Sequence, residues 1–381
     1  MDNCGSLKPV EQKKQRSSNL ELFRIISMIL IIAHHYVVNS GLYELTSTSS
    51  FSFNSIFLLI FSAWGKMGIN CFLLITGYFM CKSKTTLRKY IKLLFEVMFY
   101  KVIIYLIFLI SGYEPFSFTG AIKALLPFTK IEQNFTGCFL MFYLCIPFLT
   151  LLVNKMSQKM HIRLLVLLFA IYVFFGTVPK FNVSMNYVSW YMVLFFLASY
   201  VRMYPIKLFN RALPWGLLSI GFIATSILSI FGSLWLGQKM NVYAPFLFMT
   251  DSNNFLALAT GFSLFMFFKN IKMKNIKFVN IIASATFGVL LIHANGDTMR
   301  RWLWVDFLKN TEYFDSKYLV LHAVASVACI YVVCTLIELV RIYLIEKYVL
   351  KLWDKLEPKI KGVFEKIEKK ITKPLYKGDE K

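Results

Sequence analysis

The sequence predicts an all-α polytopic membrane protein with about ten transmembrane helices, both termini cytoplasmic and a C-terminal amphipathic helix. Three observations predict it. Apolar runs recur along the chain, with 57% of the 381 residues drawn from AVILMFWYC. Only 16% are charged, against roughly 25% in soluble domains. Lys and Arg gather in alternate gaps between the runs. With 38 Phe and 20 Tyr, a soluble core of this length has no room for the apolar surface, so lipid must solvate much of it.

The formal net charge of +22 would also suit nucleic acid. The basic residues, however, fall between apolar runs, as in cytoplasmic loops. The seven Cys are scattered, mostly inside apolar runs (Cys71, Cys138, Cys145, Cys329, Cys334). No paired spacing suggests a disulfide framework or a metal site. The first 19 residues are polar and no small-residue cleavage site follows the first run, so no cleavable signal peptide is expected.

A hydrocarbon core of about 30 Å takes roughly 20 apolar residues as a helix. Ten segments qualify: 20–39, 55–80, 91–111, 137–154, 164–178, 187–203, 213–236, 253–268, 278–293 and 318–345. The fifth and ninth are short for a span. The second is long and interrupted by Gly65, Lys66, Gly68 and Asn70, so a broken helix or a preceding interfacial piece is expected. With the N-terminus inside, the inner gaps and tail hold 29 Lys and Arg and the outer loops 8. Both ends are therefore assigned to the cytoplasm. The chain divides into a cytoplasmic N-terminal segment (1–19), a membrane domain (20–346) and a basic tail (347–381). In the tail, Val349, Trp353, Leu356, Ile360, Val363, Ile367 and Ile371 recur every three or four residues among lysines. That spacing predicts a helix lying on the anionic leaflet, bent at Pro358, with a solvated helical tail as the alternative.

Ionisable groups within a span are costly, about 2.5–3.5 kcal/mol each on insertion scales, and usually face an interior cavity. In the first span, Arg24 and His35 are eleven residues apart. At about 100° per residue this is three turns plus roughly 20°, with a rise of about 16 Å. They share one face, Arg24 near the inner end and His35 in the outer half, while His34 points about 80° away. Arg24 snorkelling to phosphates is the plainer alternative. Lys66, Asn70 and Thr76 in the second segment suggest a cavity lining, or else an interfacial turn ending at Gly68. Arg88, Lys89 and Lys92 form a basic inner cluster able to hold phosphates, or simply an orientation signal. His293 and Arg300 suit either an outer acceptor site or interface anchoring beside Trp302 and Trp304. No role is expected for His161, placed in a basic loop, and His322 is expected to be a packing histidine.

With these residues in view, the chain resembles the acyltransferase-3 family of bacterial membrane O-acyltransferases over roughly residues 19–345. Arg24 and His35 match its Arg-x10-His pattern. The stretch from Gly68 to Phe79 is similar to a Cys/Phe-Phe-hydrophobic-Ser-Gly-Tyr segment, with Thr76 in the Ser place. Pro147-Phe148-Leu149 matches the end of the family's fourth span. Thr286-Phe287-Gly288-Val289 through Leu291-Ile292-His293 resembles Thr-Phe-Gly-hydrophobic-Tyr-Leu-Ile-His, with Leu290 for Tyr. Gly137-Cys138-Phe139 departs from an aromatic pair that includes Trp. Many relatives continue into a hydrolase-like outer domain, which residues 347–381 do not resemble; transfer is then expected to finish in the membrane part or on a separate protein.

The resemblance implies a multi-pass protein of the bacterial cytoplasmic membrane with no bound cofactor. It would take acyl-CoA, with acetyl-CoA the expected donor, and modify a surface or exported polysaccharide. His35 would accept the acyl group or act as general base, and Arg24, Arg88, Lys89 and Lys92 would meet donor phosphates. Asn70 or Thr76 would stabilise an oxyanion. His34, Lys66, His293 and Arg300 would line the cavity. A lipid-linked sugar flippase, polymerase or other multispan transporter is the rival class, although no second copy of the Arg24–His35 pattern marks a repeat.

Overall fold

The structure, a computed structural model, describes residues 16–128, 134–178, 181 and 185–372; residues 1–15 of the N-terminal segment and 373–381 of the tail lie outside them. All ten predicted segments are helical, and no strand occurs among the described residues. Helix α1 is Ser18–Val38. The second span is broken: α2 (Phe53–Ser62) and α3 (Gly65–Met80) meet at Ala63–Trp64. Then follow α4 (Leu87–Ile110) and α5 (Phe135–Lys155), started by the Thr86 and Asn134 side chains, which accept from backbone N–H groups. Next come α6 (Gln158–Leu168), extended through a π turn at Phe169–Phe174, and α7 (Tyr187–Met203). Helices α8 (Ala212–Met240) and α9 (Phe255–Asn270) precede a pair kinked at Ala285, α10 (Lys277–Ser284) and α11 (Thr286–His293). Finally α12 (Leu319–Val340) passes through a π turn at Arg341–Glu346 into α13 (Lys347–Thr372).

Seven of these helical runs are long and apolar enough to cross a bilayer. The remaining predicted spans are the shorter apolar helices α7 and α9 and the α10–α11 pair, whose outer end joins Asp297–Tyr313 at a 93° bend. Helix α1 is central, packing against α2, α3, α9, α10, α11 and α12. Of the seven long runs the α2–α3 span is the most enclosed, with 72% of its apolar window buried, against 22% for α4 and 17% for the α6 run. Interior chemistry therefore falls to α1, α3 and α11, while α4 and α6 face mostly outward.

Two expectations change. His161 is a fully buried residue of α6, not of a loop, and its Nε2 bonds the Phe196 carbonyl at 3.0 Å. Trp304 is no interface anchor: it is fully buried, edge-on to Tyr36 and His293 at 6.0 and 6.5 Å. The tail is helical as its spacing predicts, and α13 continues from α12 with Pro358 inside it. His322 is a satisfied packing residue, bonded to the Tyr36 hydroxyl at 2.7 Å and stacked on Tyr313.

Candidate active site

At the outer end of α1, Nδ1 of His35 lies 3.0 Å from Nε2 of His293. His293 ends α11, is fully buried, and its Nδ1 stands 2.6 Å from the Val289 carbonyl one turn back. A carbonyl only accepts, so Nδ1 of His293 carries a proton. In the neutral ring Nε2 is then an acceptor, filled by Nδ1–H of His35. The relay leaves the lone pair of His35 on Nε2, which has no partner among the described residues.

His34 turns away, as its offset requires. Its Nδ1–H donates to the Ser62 carbonyl at 2.7 Å. The ring rests on Gly65, where a Cβ would stand 2.2 Å from His34 Cγ. Glycine is what allows α3 to start against α1. Gly65→Ala is therefore expected to destabilise the protein by about 1–3 kcal/mol. The thermal unfolding midpoint of the purified protein checks this; an unchanged midpoint would mean that the helix pair yields freely.

Arg24 lies about 16 Å below His35 by helical rise. Its Nη1 donates to Glu21 Oε2 at 3.1 Å, and its guanidinium is 5.7 Å from the centre of the Phe72 ring. Its Nε is buried without a partner. Phe72 belongs to an aromatic wall with Phe135, Phe139 and Phe287 at 6.2, 6.2 and 6.3 Å. Phe287 is on α11, the helix that ends in His293. Arg24 and His35 thus face the same interior, lined by α3 and α11. Phe139, beside the departure at Gly137-Cys138, fills that wall with an aromatic ring.

Arg300 closes the outer side. Its Nη1 donates to Asp297 Oδ1 at 3.2 Å, its Nε is buried without a partner, and its charge acts on both His35 and His293. Lys66 also acts electrostatically on His34 and His35, and its ammonium donates to the Tyr187 hydroxyl at 2.9 Å and to Asp251 Oδ1 at 3.2 Å. The roof segment carrying Trp304 is held by Asn310, whose amide donates to the Tyr36 carbonyl at 2.9 Å.

Other selected residues are engaged elsewhere. Asn70 is fully buried as a cross-link: its amide donates to the Ser252 carbonyl at 2.7 Å and accepts from Trp190 Nε1 at 2.9 Å. Thr76 donates to the Phe72 carbonyl of its own helix at 2.8 Å. Arg88 makes a two-pronged bond to Asp354 of α13 at 2.7 and 3.2 Å. Lys92 meets Glu346 at 2.6 Å, and Lys89 donates to the Lys84 carbonyl at 2.7 Å.

Sequence reasoning passed over a buried charge cluster next to α11. Arg341 (2% exposed) meets both oxygens of the fully buried Glu338 at 2.6 and 2.7 Å, Glu346 at 3.0 Å and Glu96 at 3.7 Å. Tyr100 donates to Glu338 Oε2 at 2.7 Å. At Gly288 a Cβ would stand 2.4 Å from Glu338 Cδ, so that glycine lets the carboxylate reach α11. The signal was present in the sequence: two opposite charges three residues apart inside the last apolar run.

The His35–His293 imidazole pair thus lies within a multi-pass helical frame, with Arg24 on the same helix and Arg300 a few residues past His293. The chain belongs to the acyltransferase-3 family, whose acyltransferase domain matches residues 17–339, from the start of α1 almost to the end of α12. No curated protein and no solved structure matches it.

Proposed function

We propose that the protein moves an acyl group, acetyl being the expected one, from cytoplasmic acyl-CoA to a sugar hydroxyl of an extracytoplasmic or lipid-linked polysaccharide, at the cytoplasmic membrane of a bacterium. The observation that carries this reading is the free Nε2 lone pair of His35, oriented by His293, on the helix that also carries Arg24. As a general base, Nε2 takes the hydroxyl proton while the oxygen attacks the thioester carbonyl. The C–S bond breaks and the proton goes to the departing sulfur, giving ester and free CoA. As a nucleophile, Nε2 itself attacks the carbonyl and the C–S bond breaks with CoA leaving as the thiolate; the acyl-imidazolium then passes its acyl group to the hydroxyl, whose proton ends on the CoA sulfur. Acid quench and mass spectrometry of the His35 peptide separate the routes, because only the second leaves a trapped acyl group.

The buried, unpaired Nε of Arg24 is a donor without an acceptor, a condition that costs about 1–3 kcal/mol or more. A bound acyl-CoA oxygen would relieve it. Arg24→Lys loses the planar fork and is expected to raise the KM for donor about tenfold, a loss of about 1.4 kcal/mol. A wild-type KM in that variant would remove Arg24 from donor binding. Arg88 and Lys92 already hold carboxylates, so a phosphate that reached them would have to displace Asp354 or Glu346.

Inverted vesicles supplied with labelled acetyl-CoA test the whole reading. Label in glycan is the expected result. Movement of lipid-linked sugar with no label in glycan or protein would place the chain with the transporters.

A further inference from the structure

The partly or fully buried cations Arg24, Lys66, Arg300 and Arg341 each meet a carboxylate. Among the described residues Arg202 and Lys269 do not, and they stand at the inner ends of α7 and α9, which both pack against α3. Lys101 also has no carboxylate, but it stands apart on α4, donating to the Lys123 carbonyl.

Tyr78 of α3 joins the two cations. The Arg202 guanidinium lies 4.6 Å from the centre of the Tyr78 ring and donates through Nη1 to its hydroxyl at 2.7 Å. Tyr78 also packs edge-to-face with Phe265 of α9, ring centres 5.7 Å apart. Lys269 follows Phe265 by one helical turn and so lies on the same face. Its ammonium is held by the Phe209 carbonyl at 2.7 Å and Asn270 Oδ1 at 2.8 Å. The Arg202 charge reaches Lys269 and repels it. Two like charges are thus held at one end of α3 by neutral groups, with most of the arginine's fork of donors unused. A dianion is the ligand that completes such a pair, and an arginine fork beside a lysine suits a phosphate ester.

We propose that Arg202 and Lys269 form a phosphate-binding site at the inner mouth, and that it seats the phosphates of the acyl-CoA donor. This assignment of the occupant rests on the function proposed above; the site itself does not. Arg88 and Lys92, neutralised by Asp354 and Glu346, are the poorer candidates.

Calorimetric titration of coenzyme A into the full-length protein in phosphatidylcholine nanodiscs tests the proposal. A second arm counts phosphatidylglycerol retained from mixed nanodiscs by native mass spectrometry. Arg202→Gln and Lys269→Gln are each expected to weaken CoA binding about tenfold, the loss of one charged hydrogen bond. Lys269→Arg, which keeps the charge, should retain affinity and controls for folding. Wild-type affinity in both glutamine variants overturns the site while leaving the acyltransferase reading intact. So does a loss confined to Arg88→Gln and Lys92→Gln. If the glutamine variants lose phosphatidylglycerol and CoA does not bind even to wild type, the phosphate site stands and the donor assignment falls.

Discussion

His35→Ala is expected to lower acyl transfer by about 10²–10⁴-fold, the usual contribution of a positioned acid–base group, while the protein still inserts and folds. The reason is the direction of the imidazole relay. The Val289 carbonyl fixes the proton on Nδ1 of His293, His293 accepts from Nδ1 of His35, and the reactive lone pair stands on Nε2 of His35. His34 also donates its Nδ1–H, to the Ser62 carbonyl, but on another side of α1, so its ring is not oriented by His293. His34→Ala should therefore do less harm, and His293→Ala should fall between the two because it acts through His35. The measurement is the initial rate of label transfer in inverted vesicles at matched protein levels. Equal losses for His34→Ala and His35→Ala would undo the assignment, as would a wild-type rate in the latter.

Arg341→Met is expected to destabilise the protein by about 3–5 kcal/mol, as when one partner of a buried ion pair is removed. Glu96, Glu338 and Glu346 would be left with Lys92 as their one cation, and Lys92 itself is 46% exposed. The same charge balance makes Glu96 expendable. Three carboxylates face two cations, so Glu96→Gln removes the surplus negative charge and should leave the thermal midpoint unchanged or higher. A midpoint that fell as far in Glu96→Gln as in Arg341→Met would show that each carboxylate is needed for its geometry and not for its charge.

Much of the architecture was legible because its causes are local. The length of an apolar run against bilayer thickness placed all ten helical segments, including the short α7 and α9 and the interrupted second span. The 100° step of an α-helix placed Arg24 and His35 on one face and His34 off it, without knowledge of any other helix. Chemical type alone misled where a side chain had a choice of neighbours. Trp304 read as an interface anchor but is buried over His293. Asn70 read as a cavity lining but bonds Ser252 and Trp190. Glu338 and Arg341 were passed over because they fall at the end of a run read only for its hydropathy.

The sequence by itself determined that the chain is a helical membrane protein of the acyltransferase-3 kind, and that Arg24 and His35 share one face of α1, since both follow from spacing along one stretch of backbone. The partner of His35, the nitrogen left free on it, and the carboxylates that occupy Arg88 and Lys92 were decided only by tertiary structure. Those contacts join residues more than 250 positions apart, and no local periodicity encodes which helices become neighbours when their apolar faces pack.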